Sequence, residues 1–295
     1  SSAFQSPVLK FLNTNPKYAL PFIIELFNTV TEAYVQEYKN KYTTDPNTIQ
    51  IHISEGFECT QVCNGQLWAM YRGMSAGPHL LESILMALER WLDTCITTLP
   101  SVAAVAICKH LLQESKSVAI TAVVLSMVMA HPDKLFEIAC ILLQNHTIFF
   151  LDRQRKNHES GTNLFRGNLP KCELLDKERI ASNKLPLREK CFEEIIINYQ
   201  LIRGDLSTEE FEQRRNTLFE SIDRSFLPEE NLTTEERFLL YRIDTRHMKW
   251  QSAPESIGKN AVALVPELPQ ELIDVQENSQ HILRRNQLYY DVFLW

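Results

Sequence analysis

From Val118 to Ala130 the chain runs through thirteen residues without a charge, and no side of a helix built from them would be polar. A helix of that kind is stable only when neighbours enclose it on every side. Lys116 and Asp133 close the stretch off well short of the eighteen or so residues that a membrane span needs. Its neighbours in sequence are suited to the enclosure. Val102 to Gln113 and Lys134 to Leu143 have similar lengths and are separated from it by Glu-Ser-Lys-Ser and His-Pro-Asp. Connections so short force successive helices to turn back on one another. A fourth helix, from about Pro78 to Thr97, offers the stripe Leu81, Leu85, Leu88, Leu92 and Cys95, widened by Ile84 and Trp91. The expected core of the N-terminal half is therefore an all-apolar helix wrapped by three others.

Upstream, Leu20, Ile23, Phe27, Val30 and Tyr34 form one stripe on a helix from about Pro16 to Lys39. Pro16 suits its first turn, and Pro21 distorts or restarts it. The one convincing β signal lies at about 48–63. Thr48-Ile49-Gln50-Ile51-His52-Ile53 alternates, and a second strand follows Glu55-Gly56 up to about Val62. Two strands are marginal in water, so this hairpin has to rest on helices. With only 8 glycines in 295 residues, against a usual share of about 7%, the chain has little material for phosphate loops or a large open sheet.

The expected architecture is mainly α: an antiparallel helix stack, HEAT- or armadillo-like, with one small β-hairpin insertion. Residues 1–158 form the helical-repeat domain and 159–187, punctuated by Gly and Pro, a linker or long loop. Residues 188–295 form a second helical segment. There, Phe192, Ile195, Ile196, Tyr199 and Ile202 share a helix that ends at Gly204, and Ser207/Glu210 and Thr233/Glu236 have capping-box spacing. The stretch Arg237 to Trp250 fits neither period, and a last helix begins near Pro269. Seven cysteines, an odd number, and no signal-peptide pattern fit a reducing cytoplasm. The missing initial Met and the apolar, uncapped end Tyr289 to Trp295 are expected of a piece of a longer protein.

Motifs for chemistry are sparse. Gly73-Met74-Ser75-Ala76-Gly77 has the letters of a nucleophile elbow, which makes Ser75 the catalytic residue of an alternative hydrolase reading. An elbow needs a parallel sheet beneath it, and no alternation of strands and helices follows residue 77. Ala253 to Asn260 ends in Gly258-Lys259 but lacks the first Gly and the metal-binding hydroxyl of a phosphate loop. Cys59 and Cys63 have no second pair for zinc, and packing is the expected role. No metal or cofactor is expected. The net charge of −7, with neither half basic, disfavours nucleic acid as a partner. The best basic group, Arg153, Arg155 and Lys156, supports a nucleic-acid-binding alternative.

Exposed contact candidates are the hairpin around His52 and Glu58, the linker, and the cluster Trp68, Tyr71 and Arg72, residue types enriched at interface hot spots. The competing reading has Trp68 and Tyr71 anchoring the hairpin to the core. Around that cluster, Trp68-Ala69-Met70-Tyr71-Arg72-Gly73, then Leu81 to Leu92 and Ser117-Val118-Ala119, the chain resembles helical-repeat regions of large bacterial signalling and defence NTPases of the STAND type, over roughly residues 6 to 150. The resemblance implies a cytoplasmic sensor or scaffold whose partner is another protein or other domains of the same one, with homo-oligomers as an option. The nucleotide site would lie outside this chain. The expected function is non-catalytic recognition without membrane contact.

Overall fold

The computed structural model describes residues 1–42, 44–54, 56–73, 76–161, 173–252 and 262–280. It is mainly helical and divides into two compact units, Ser1–Ile196 and Ile197–Trp295.

In the first unit, α1 (Val8–Thr14) and α2 (Pro16–Tyr42) precede a hairpin of β1 (Thr48–Ser54) and β2 (Phe57–Val62). A short helix, α3 (Gly65–Ala69), runs into a 3-10 turn at Met70–Arg72. Then come α4 (His79–Thr98), α5 (Ser101–Glu114), α6 (Val118–Ala130), α7 (Phe136–Leu143), α8 (His146–Gly161) and α9 (Glu173–Asn183). α10 (Phe192–Leu201) carries the boundary between the units.

α6 is the centre. Every residue from Val118 to Met129 is buried, most of them completely. Its many β-branched residues have poor intrinsic helix propensity, so the helix exists because its surroundings bury it rather than because its sequence favours it. Ser117 opens it by accepting a hydrogen bond from the Ala119 N–H. The two hydroxyls that the helix buries are satisfied locally: Ser126 donates to the Val123 carbonyl (2.8 Å), and Thr121 donates to Gln61 Oε1 (2.5 Å). Gln61 in turn donates to the Leu112 carbonyl (3.0 Å).

Gln61 explains how two strands stay folded. It is fully buried on the inner face of the hairpin, beside Ile49, Ile51 and Ile53, and ties β2 to both α5 and α6. The strands pair antiparallel with Ile49 opposite Gln61 and Ile51 opposite Cys59. Cys59 lies on the same face and donates to the Leu112 carbonyl (3.1 Å), while Cys63 is buried beyond the strand. Burial lifts both thiols, that of Cys63 to about 11, which suits packing rather than reactivity.

Of the stretch expected to be a linker or long loop, 159–187, residues 162–172 lie outside the described residues, and the C-terminal part is not a loop throughout. Residues 173–183 are α9 and Pro186–Arg188 a 3-10 turn, both packed into the first unit. Hydrophobic periodicity misses α9 because the helix docks through polar side chains, Glu178 and Ser182 among them, while Leu174 and Ile180 face water.

In the second unit, α11 (Thr208–Phe226) and α12 (Thr234–Ile243) both begin with complete capping boxes, Ser207/Glu210 and Thr233/Glu236. Gly204 has φ +59°, the left-handed conformation expected of a residue that ends a helix. Buried Gln200 donates to the Ile243 carbonyl (2.6 Å) and accepts from the Thr245 N–H (2.8 Å). One expectation needs correction, because a second hairpin exists. β3 (Met248–Ser252) pairs antiparallel with β4 (Val262–Pro266), Trp250 opposite Leu264. It lacks the tight turn residues that mark a hairpin in sequence, since 253–261 separate the strands. That interval, which includes Ala253 to Asn260, lies outside the described residues, as does 281–295. A helix does follow Pro269, over 270–280.

Candidate functional site

Trp68, Tyr71 and Arg72 do come together, but inside the protein. Trp68 and Tyr71 are each 1% exposed and Arg72 3%. The short α3 carries Trp68 into the core, its start capped by Asn64, which accepts from the Leu67 N–H. The 3-10 turn then points Tyr71 and Arg72 inward and ends at Gly73 in the left-handed conformation, φ +60°. These three residues are enclosed and offer no contact surface; α3 and the turn pack against α4, α6 and α8.

Around Tyr71 lies a buried ionic network. The guanidiniums of Arg72 and Arg188 each sit 5.9 Å from the centroid of the Tyr71 ring. Arg188 forms a two-pronged pair with Glu89 (2.7 and 2.5 Å), reaching from the turn after α9 to the inner face of α4. Arg72 pairs with Glu159 of α8, which also accepts from Arg155 (2.9 Å). Arg155 donates to Asp152 (2.7 Å) and to the Lys190 carbonyl (2.8 Å), and Asp152 accepts from the Phe192 N–H (2.8 Å). From α9, Arg179 donates to the Arg72 carbonyl, and Asn183 accepts from Arg72 (3.3 Å).

Charge balance sets the protonation states. Burial alone would push the Glu89 carboxyl up, but the charge and hydrogen bonds of Arg188, with the charge of Arg72, outweigh it and hold the group below the usual carboxylate range. Burial drives the Tyr71 hydroxyl well above its ordinary value. Arg179 is lowered to about 10, by burial first and then by the neighbouring charges of Arg72 and Arg188. Two donors remain open: Arg72 Nη1 and Trp68 Nε1 have no hydrogen-bond partner among the described residues. The network therefore joins the 3-10 turn, α4, α8 and α9 through charge as well as apolar packing.

The same network removes Arg155 from the basic group read in sequence. Arg155 is buried and its donors are occupied, Arg153 is exposed and Lys156 is half-buried. The three cannot act as one phosphate clamp, because Asp152, Glu159 and the Lys190 carbonyl hold the middle one inside. Ser75 lies outside the described residues. The segment before it, which an elbow requires to be a strand, is helical from Gly65 to Arg72, and the sheets among the described residues are two-stranded and antiparallel.

No family model matches this chain, and no curated protein does.

Gly73 is the tightest point of the site. A Cβ there would meet Met86 Sδ at 2.6 Å and Arg179 Nη1 at 2.7 Å, in a backbone conformation that L residues rarely adopt. Gly73→Ala is expected to destabilise the first unit by about 1–3 kcal/mol, the range for a strained backbone position. Urea unfolding checks this, and a midpoint equal to that of the parent would show that the turn is not so constrained.

The exposed features lie elsewhere. On α2, Tyr18 and Phe22 stand one turn apart at the surface, and the Phe11 ring of α1 meets Phe22 edge-on at 6.3 Å. A cleft of about 330 Å³ runs between α2 and the hairpin, lined by Thr31, Val35, Gln36, Thr60, Val62 and Lys116. A second, of about 420 Å³, shares Glu32 and Lys116 with it and continues between α2 and the end of α5. On the hairpin's outer face His52 and Glu58 pair at 3.2 Å, both open to water. Among the described residues, no helix is long and apolar enough to cross a membrane.

Proposed function

We infer that this chain is a non-catalytic helical scaffold that recognises another protein, or other domains of a longer protein of which it is part. The observation that carries this reading is the aromatic corner of α1 and α2. Phe11 meets Phe22 edge-on, and Tyr18 stands one turn away on the same helix, with Phe22 about half and Tyr18 mostly in water. Side chains of this size, exposed together on a rigid helical pair, are typical anchors of protein interfaces. The buried network around Tyr71 supports the reading by stiffening the helices behind that surface. A HEAT- or armadillo-like use of stacked helices, as in the scaffold or sensor region of a bacterial STAND-type defence NTPase, fits this arrangement. In that setting the ATP site lies elsewhere in the longer protein, and a full-length sequence with a Walker motif beside this region would support it.

A photo-crosslinking amino acid at Tyr18 tests the scaffold reading. It is expected to capture a discrete protein, or a second copy of the chain, in the cell of origin. Phe22→Ser should abolish capture while leaving stability within about 0.5 kcal/mol, as for most surface substitutions. Capture that is unchanged in Phe22→Ser would remove the corner as the anchor. Stoichiometric labelling by a fluorophosphonate, lost in Ser75→Ala, would overturn the non-catalytic reading in favour of a serine hydrolase.

A further inference from the structure

The hairpin has one strand edge that the fold leaves unused. The Cys63 N–H points to the Asn47 carbonyl, on the β1 side, whereas the Val62 N–H points the opposite way, to the Lys116 carbonyl (2.8 Å for each). Because backbone groups alternate along a strand, Thr60 and Glu58 also direct their N–H and C=O groups away from β1. Outside the β1–β2 ladder, neither residue's N–H has a backbone partner among the described residues. At Val62 the edge is occupied: Lys116 and Ser117 lie beside it as a parallel bridge. Asn28 of α2 holds that short extended piece in place, donating to the Glu114 carbonyl (2.7 Å) and accepting from the Lys116 N–H (2.8 Å). The chain itself thus begins a third strand on this edge and stops after one residue.

We propose that the open edge of β2 at Thr60 and Glu58, with the cleft between it and α2, takes an extended basic peptide by strand addition. The edge supplies main-chain donors and acceptors, which any extended peptide can meet. The cleft of about 330 Å³ has Thr31, Val35 and Val62 along its wall, a surface that fits a β-branched side chain. Charge selects the flanks. Glu58, paired with the imidazole of His52 at 3.2 Å in an exposed contact, stands at one end; beyond Lys116 the adjoining cleft presents Glu25 and Glu114 beside His110, while Lys116 is paired with Glu32 at 2.6 Å. Basic residues on both sides of a β-branched centre complement that arrangement. The proposal deepens the scaffold reading by naming a second recognition surface and the chemistry of what it takes.

The test uses the whole chain, labelled with 15N, and the capped peptide KVTVK. Saturable binding is expected, with amide protection gained at Thr60 and Glu58 and shifts confined to β2 and the 31–36 face of α2. Thr60→Pro deletes an N–H that the fold does not use and should weaken binding at least about tenfold, since it blocks the ladder as well as one bond. Its melting temperature and the β1–β2 amide protection should stay those of the parent. Val35→Arg, which alters the opposite wall without touching the strand, should weaken binding as much, and the acidic peptide EVTVE should bind at least about tenfold less tightly. Failure of KVTVK to saturate, undiminished binding in both variants, equal binding of EVTVE, or shifts mapping away from β2 would each overturn the proposal. Phe22→Ser should leave KVTVK binding intact. Loss of Tyr18 crosslinking in that variant, alongside absent KVTVK binding by the parent chain, would therefore sink this inference and not the scaffold reading.

Discussion

Val124→Asp is expected to leave the first unit unable to fold. Val124 is fully buried in a helix that has no solvent face onto which the carboxylate could turn. An unpaired buried charge costs several kcal/mol even after the site relaxes, and a domain has only about 5–15 kcal/mol of stability to lose. The loss should show as insoluble expression or the absence of a cooperative melt. Val124→Ala separates charge from volume. It removes two methyl groups and should cost about 2 kcal/mol while still folding. Val102→Asp, at a position 82% exposed on α5, should change stability by less than about 0.5 kcal/mol. An unaltered melting temperature in Val124→Asp would mean that α6 is not enclosed.

The second large effect is expected at the ion pair between α4 and the turn after α9. Arg188→Met leaves Glu89 buried without its two-pronged partner, and breaking such a pair costs about 3–5 kcal/mol. The pH dependence should change sign as well. In the parent the Glu89 carboxyl titrates below its ordinary value, so it adds stability that is present above the unfolded-state pKa and lost as pH falls through the folded one. In Arg188→Met, burial is no longer outweighed and the folded pKa rises above the ordinary value. The variant should then be weakest at neutral pH and recover towards the parent on acidification. Replacing both partners, Glu89→Leu with Arg188→Met, should restore most of the loss, because no buried charge remains. Chemical denaturation at pH 5 and pH 7 checks all three. Arg188→Met as stable as the parent at pH 7 would show that the Glu89–Arg188 pair contributes nothing.

The parts of this structure that were legible in the sequence are those in which one local pattern is sufficient. The uncharged run of α6, the alternation of Ile49, Ile51 and Ile53, and the Ser207 and Thr233 capping boxes each name their own structure. The parts that were not legible depend on distant partners. Glu89 is matched by a residue 99 positions away and Arg72 by one 87 positions away, and no local pattern links them. Charged residues default to solvent in a sequence reading, which puts Arg72 and Arg155 on contact surfaces although the fold encloses both. One signal was available. Glu82 and Glu89 sit seven apart on α4, flanked by Leu81, Ile84 and Leu88, and so share a face with an apolar stripe. Carboxylates on such a face either break the stripe or have buried partners, and here they have partners. The second hairpin was hidden for another reason: β3 and β4 are nine residues apart in sequence, with no adjacent turn pair to mark them.

The separation between Glu89 and Arg188 also has a cost in time. A ribosome adds about 5–20 residues per second, so Glu89 emerges roughly 5–20 s before the guanidinium that neutralises it. Throughout that interval α4 cannot reach its final environment, and the nascent chain holds its most apolar helices ready but unlocked. Translation of the last turn before α10 closes the latch, so chains truncated just before Arg188 should be cleared by proteases.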